Sequence, residues 1–162
     1  IDRPLEYVSI NDRHSAATRL AATISDFLAN AVIHKQAEDF VDRIFALQSR
    51  NEMLISLQDT LQSFVTTMQN TTCDDRSQIK VIIDSLHMLL IVLSETIQDE
   101  NESSDLLLEL TFDRGDMMEK LRLSMINNTY VDTAQRQSVF ISSGIFERIV
   151  WLIRKITLSR YS

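Results

Sequence analysis

A chain of 162 residues with 44% apolar and 24% charged side chains is long enough to bury one core and short enough to be one domain. Two glycines and one proline exclude a β-sandwich or barrel, whose frequent turns need both residues, and most α/β enzymes, whose loops need them too. A net charge of −7, from 16 Lys and Arg against 23 Asp and Glu, excludes a binder of the nucleic-acid backbone, because no cationic surplus remains to displace counterions.

Residues 1–10 read as an extended lead-in, held out of a helix by Pro4, and Asn11 or Asp12 is the expected cap of the first helix. Ala17, Leu20, Ala21, Ile24, Phe27, Leu28 and Ala31 then recur at helical spacing. Ala37, Phe40, Val41, Ile44 and Phe45 resume the pattern, and Leu54, Leu57, Leu61, Phe64, Val65 and Met68 extend it. The spacing leaves open whether this stretch is one helix, two or three. Residues 49–52, Ser-Arg-Asn-Glu, offer a joint, since Ser49 or Asn51 can cap a new helix. Residues 69–77 are the first clear turn. A strongly amphipathic helix comes next, carrying Ile79, Ile82, Ile83, Leu86, Leu89, Leu90, Leu93 and Ile97. After an acidic turn at 98–104, Leu106, Leu107, Leu110, Met117, Leu121 and Met125 mark another helical face, interrupted near Gly115. A third turn at 127–133 leads into a last helix with Val139, Ile145, Phe146, Ile149, Val150, Leu152, Ile153 and Ile156. The expected fold is all-α, an antiparallel bundle of four to five long helices forming a single domain over 11–162.

The stretch Asp113-Arg114-Gly115-Asp116 has two readings that need no chemistry. It is a joint, with Gly115 closing one helix and Asp116 capping the next, or a continuous helix with a tolerated glycine. Nucleophilic catalysis has no support: His14, His34 and His87 have no motif-like serine or cysteine neighbour, and Cys73 stands alone in acidic company that disfavours a thiolate. There is no glycine-rich phosphate loop. A mutase-like site would need Arg43, Arg114, Arg122 and Glu147 to converge on one pocket, which their positions after apolar residues do not suggest. The chain is therefore read as non-enzymatic.

Carboxylates four apart share a helical face and can chelate a hard cation or iron. The pairs are Asp2/Glu6, Glu38/Asp42, Glu95/Asp99, Asp105/Glu109 and Glu109/Asp113, five where roughly three arise by chance. Spacing alone thus does not establish a metal site, and a solvated acidic face explains the same residues. Glu38, Asp42, Glu109 and Asp113 are the candidate ligands for a divalent or iron ion; no other cofactor is expected. His34 extends the first pair and Asp105 the second. The longest unbroken apolar run, Met88 to Leu93, is too short to span a bilayer. The chain opens on Ile1, so a piece of a longer protein is expected.

Two segments together carry a resemblance. Residues 106–122, LLLELTFDRGDMMEKLR, and 142–156, SSGIFERIVWLIRKI, resemble the C-terminal cytoplasmic region of bacterial sodium/phosphate cotransporter family proteins, and 7–20 looks like the start of the same region. The resemblance implies a PhoU-like helical bundle on the cytoplasmic side of the inner membrane, as the soluble part of a membrane protein. It implies a regulatory or assembly role, exerted by packing on the transport domain of the same chain, on a regulatory protein, or on a second copy. PhoU proteins bind metal through Glu/Asp-x-x-x-Asp pairs, which Glu38/Asp42 and Glu109/Asp113 match, but without the extended repeated motif. Phe146, Arg148 and Trp151 are the candidate contact residues, and no nucleic-acid partner is expected.

Overall fold

The computed structural model describes residues 9–34, 38–69, 77–98, 103–112, 114–127 and 133–159. The chain is an all-α bundle. Among the described residues there are six helices and no strand: α1 (Ile10–His34), α2 (Glu38–Gln69), α3 (Ser77–Gln98), α4 (Ser103–Leu110), α5 (Arg114–Asn127) and α6 (Thr133–Leu158). Four are long, at 25, 32, 22 and 26 residues, and the short α4 and α5 divide what the sequence offers as one interrupted helical face.

The residues cluster in two compact units, up to Gln62 and from Ser63 onward. The division falls inside α2, not in a linker, so no change of composition marks it.

The first unit is a hairpin of α1 and the larger part of α2. Its start lies earlier than Asn11 or Asp12. The cap is Ser9, whose Oγ accepts a hydrogen bond from the Asp12 backbone N–H at 3.1 Å and donates one to the Asp12 carboxylate at 2.7 Å. The first bond is that of a capping box; the second differs from one, because the Asp12 carboxylate takes the Ser9 hydroxyl and not its backbone N–H. Ile10 is therefore already helical; the rest of the expected lead-in, 1–8, lies outside the described residues.

No joint occurs at 49–52. The helix runs through it, because Asn51 does other work: buried, it donates from Nδ2 to the Ala21 carbonyl and to Ser25 Oγ, both at 2.9 Å. Gln58 Nε2 reaches the His14 carbonyl at 2.7 Å and Thr18 Oγ1 at 3.0 Å, and Gln62 Nε2 reaches Asn11 Oδ1 at 2.6 Å. His14 Nε2 also meets Asp59 Oδ1 at 2.9 Å. As the α2 number rises, its α1 partner falls, so the two helices are antiparallel. The seam residues Asn11, His14, Thr18, Ala21 and Ser25 on α1, and Gln48, Asn51, Ile55, Gln58 and Gln62 on α2, are alternately three and four apart. That is the spacing of helices crossing at a shallow angle. Apart from Ala21 and Ile55 the seam is polar, and leucines lie to its sides.

The second unit is built around α6, which packs on α3, α4 and α5; α3 also packs on α4. Its core holds Ile82, Leu86, Leu89 and Val92 of α3, Leu107 of α4, Met118 of α5 and Phe146, Ile149 and Ile153 of α6. At one end Ile79 and Val139 meet Met68 and Leu121, which ties the last turn of α2 into this unit.

The hairpin seam makes a direct prediction. Asn51→Ala removes a buried hydrogen bond to the Ala21 carbonyl and a part-buried one to Ser25, so urea unfolding should show a loss of about 1–3 kcal/mol. A loss below about 0.5 kcal/mol would mean that Asn51 does not hold the hairpin.

Candidate interaction surface

The width of the buried arc on α6 decides what this helix can offer. Val139, Ser142, Ser143, Phe146, Ile149, Val150, Leu152, Ile153 and Thr157 are all buried. From residue 141 on, what remains in water is one stripe: Ile141, Gly144, Arg148, Trp151, Lys155 and Leu158, again alternately three and four apart. Trp151, the chain's single tryptophan, is 56% exposed, and Lys155 Nζ stands 5.7 Å from its ring centroid. Arg148 and Trp151 therefore face outward as expected of contact residues. Phe146 does not; it is wholly buried and belongs to the core.

Thr111 and Phe112, after α4 and before α5, belong to no helix, but Gly115 is not the break. α4 ends at Leu110, and its free carbonyls are taken by Thr111. The Thr111 backbone N–H donates to the Leu107 carbonyl at 3.0 Å, and its hydroxyl donates to the Leu107 and Leu108 carbonyls at 2.8 and 3.2 Å. Arg154 of α6 closes the same end, donating from Nη1 to the Leu108 carbonyl at 2.9 Å, with its guanidinium 5.4 Å from the Phe112 ring centroid. A cation at the carbonyl end of a helix also suits its dipole. Gly115 lies in the first turn of α5, beside Asp116, with no positive φ and no heavy atom within 4 Å of where a Cβ would stand. It closes no helix and admits no close neighbour.

The candidate arginines do not form one group. Arg122 of α5 donates from Nε to Ser143 Oγ at 2.8 Å and from Nη2 to Glu147 Oε2 at 2.6 Å, which clamps α5 to α6. Arg43 is exposed in the other unit, and the side chain of Arg114 lies outside the described residues. Of the candidate metal ligands, Asp42 is exposed on α2 and Glu109 exposed on α4; the side chain of Glu38 and all of Asp113 lie outside the described residues. Among the described residues no group of three or more His, Cys, Asp or Glu is placed to hold a metal ion. No protein-family model, curated protein or solved structure matches the chain.

Sequence reasoning singled out Arg148 and Trp151 but missed Arg154 as a helix cap and Lys155 as the partner of Trp151. Only the seven-residue spacing of Arg148 and Lys155 points to their shared stripe.

Three substitutions test this geometry. Arg154→Met, which keeps the apolar stem and removes the cap, should cost about 1–2 kcal/mol in urea unfolding. Gly115→Ala and Gly144→Ala, both at helical positions with open space, should each raise stability by about 0.5–1 kcal/mol. A destabilised Gly115→Ala protein would show that the glycine is needed at the joint after all.

Proposed function

We propose that this chain is a non-enzymatic assembly or regulatory domain that acts by docking, with the outward stripe of α6 as its contact. The observation that carries this reading is the half-exposed Trp151, set between Arg148 and Lys155 on a helix otherwise enclosed by its neighbours. Tryptophan and arginine are the side chains that most often anchor protein contacts, because they combine large apolar area with a polar handle. The cations favour a partner surface that is acidic.

The resemblance of 106–122 and 142–156 to sodium/phosphate cotransporter proteins supports placing that partner at a sodium-dependent phosphate transport domain, on the cytoplasmic side of the inner membrane. Among the described residues no helix is long and apolar enough to cross a membrane. Docking alters transport only if it is tighter in one transport state than in the other, so the expected output is a shift between those states.

Produced with 7-azatryptophan, the chain carries that label at position 151 alone and can be excited beyond the absorption of a partner's own tryptophans. On addition of the transport protein in lipid nanodiscs, the label's emission should move to shorter wavelength as water leaves the ring. Arg148→Glu should weaken that association about tenfold or more. In cells, Trp151→Ala should change sodium-driven phosphate uptake with the domain still folded. Unchanged emission at saturating transporter together with unchanged uptake would end this reading.

A further inference from the structure

The α1/α2 hairpin has two unlike sides. One residue before the seam positions Ala21 and Ser25, and before Leu28 one step further along the same row, α1 carries Leu20, Ile24 and Phe27; before Gln48, Ile55 and Gln58, α2 carries Leu47, Leu54 and Leu57. Each step along a helix turns it by about 100°, and in an antiparallel pair a backward step on both helices turns both columns toward the same side. The groove lined by Ile10, Ala17, Leu54, Leu57 and Leu61 confirms that the two columns lie side by side. One residue after the seam, the other side carries Asp12, Asp26, Glu52 and Asp59, all exposed. The apolar side is largely open to water as well: Leu20 is 62%, Phe27 71% and Leu54 50% exposed, while Leu57 is buried.

We infer that this apolar side closes on the same side of a second copy, so that two hairpins make a four-helix bundle across a twofold axis. Three features point to a second copy. The columns keep the three-four spacing that interlocks with helices crossing at about 20°, and an identical pair of columns supplies the matching ridges. Either twofold lying in the plane of this side makes every neighbouring pair of helices antiparallel, the arrangement of a closed up-and-down bundle. The exposed parts of Ile10, Leu20, Ile24, Phe27, Leu47 and Leu54 amount to roughly 600 Å² per copy, close to the roughly 800 Å² per partner of a stable interface. Arg13, Arg43 and Arg50 share the columns; their apolar stems can lie along the contact while the guanidinium groups reach its rim. The acids of the opposite side stay in water. The contact is separate from the α6 stripe, and neither requires the other.

The test uses the full chain. Sedimentation equilibrium should give a mass of twice 18.6 kDa. Leu20→Glu and Phe27→Glu each place a charge in the contact and should raise the dimer dissociation constant about a hundredfold, with far-UV circular dichroism unchanged. Trp151→Ala should leave the dimer intact, so failure of this inference and failure of the α6 reading are distinguishable. Hydroxyl-radical footprinting of the unmodified protein gives a check that no folding defect can mimic. Phe27 should be protected at high concentration and become reactive on dilution. A monomer at all concentrations overturns the inference, whether Phe27 is reactive or is shielded within the chain. So does a dimer that Leu20→Glu leaves unchanged.

Discussion

The enclosure of α6 is the constraint on which residues 63–162 depend. A helix that packs on three neighbours has to present several different surfaces in one turn. α6 does so by mixing large apolar residues with small hydroxyl residues. Phe146, Ile149 and Ile153 fill volume, while Ser142, Ser143 and Thr157 let adjacent helices approach. Their buried hydroxyls are satisfied within the helix, donating to the carbonyls of Ser138, Phe140 and Ile153 at 2.6, 3.0 and 2.9 Å. That costs little helix stability and leaves Ser143 Oγ free to accept from Arg122 as well. Arg122 and Arg154 then fix α5 and α4 to α6 from opposite partners, one by a carboxylate and hydroxyl, the other by a helix-end carbonyl. The Arg122–Glu147 pair is partly solvated, so its value lies in setting orientation more than in net energy.

The hairpin solves the opposite problem. Its seam is made of amide and hydroxyl side chains, which contribute less apolar burial than leucine would but specify register, because each misregistered position leaves buried polar groups unpaired. Asn51 is the clearest case: a shift of the hairpin by one turn would remove it from both the Ala21 carbonyl and Ser25. A polar seam also moves the large apolar residues to one flank. The hairpin is thus well specified in register and poorly provided with a core of its own, having only Ala21, Leu28, Ile44 and Leu57 as buried apolar residues among those described.

This difference decided how much of the molecule was readable in the sequence. α3 and α6 could be traced because their buried apolar positions recur at a single helical period, and the polar sequences at 69–77 and 127–133 mark where each pattern begins. α2 could not be divided correctly, because its apolar residues lie on the flank while its seam looks like solvent surface. Asn51 has the propensities of a cap, and only the α1 groups opposite it reveal that it is a clamp. Ser9 was passed over for Asn11 because both types cap well and the deciding hydrogen bonds are made in three dimensions. Gly115 suggested a left-handed closure, yet Thr111 and Arg154, neither of them a turn residue, do the closing. Arg148 and Trp151, singled out by their types, are exposed, whereas Phe146 beside them was not separable from the surface until its side of the helix was known.

The two open surfaces differ in chemistry, and that difference assigns them different kinds of partner. The hairpin flank is a run of aliphatic and aromatic side chains repeated on two antiparallel helices, with Arg13, Arg43 and Arg50 among them, whose charges have to reach the rim of any symmetric contact. Symmetry supplies the specificity that such a surface lacks, since each contact made by one copy is made again by the other. The α6 stripe is narrow and carries two cations seven residues apart, with the ring of Trp151 already engaged by Lys155. Laid along itself in parallel register, it would set Arg148 against Arg148 and Lys155 against Lys155. A different, acidic surface removes that repulsion and turns the same cations into attraction. A domain with both surfaces can hold two copies together by its hairpins and present two α6 stripes to a target, so that the second engagement gains from the first wherever the target's geometry admits both.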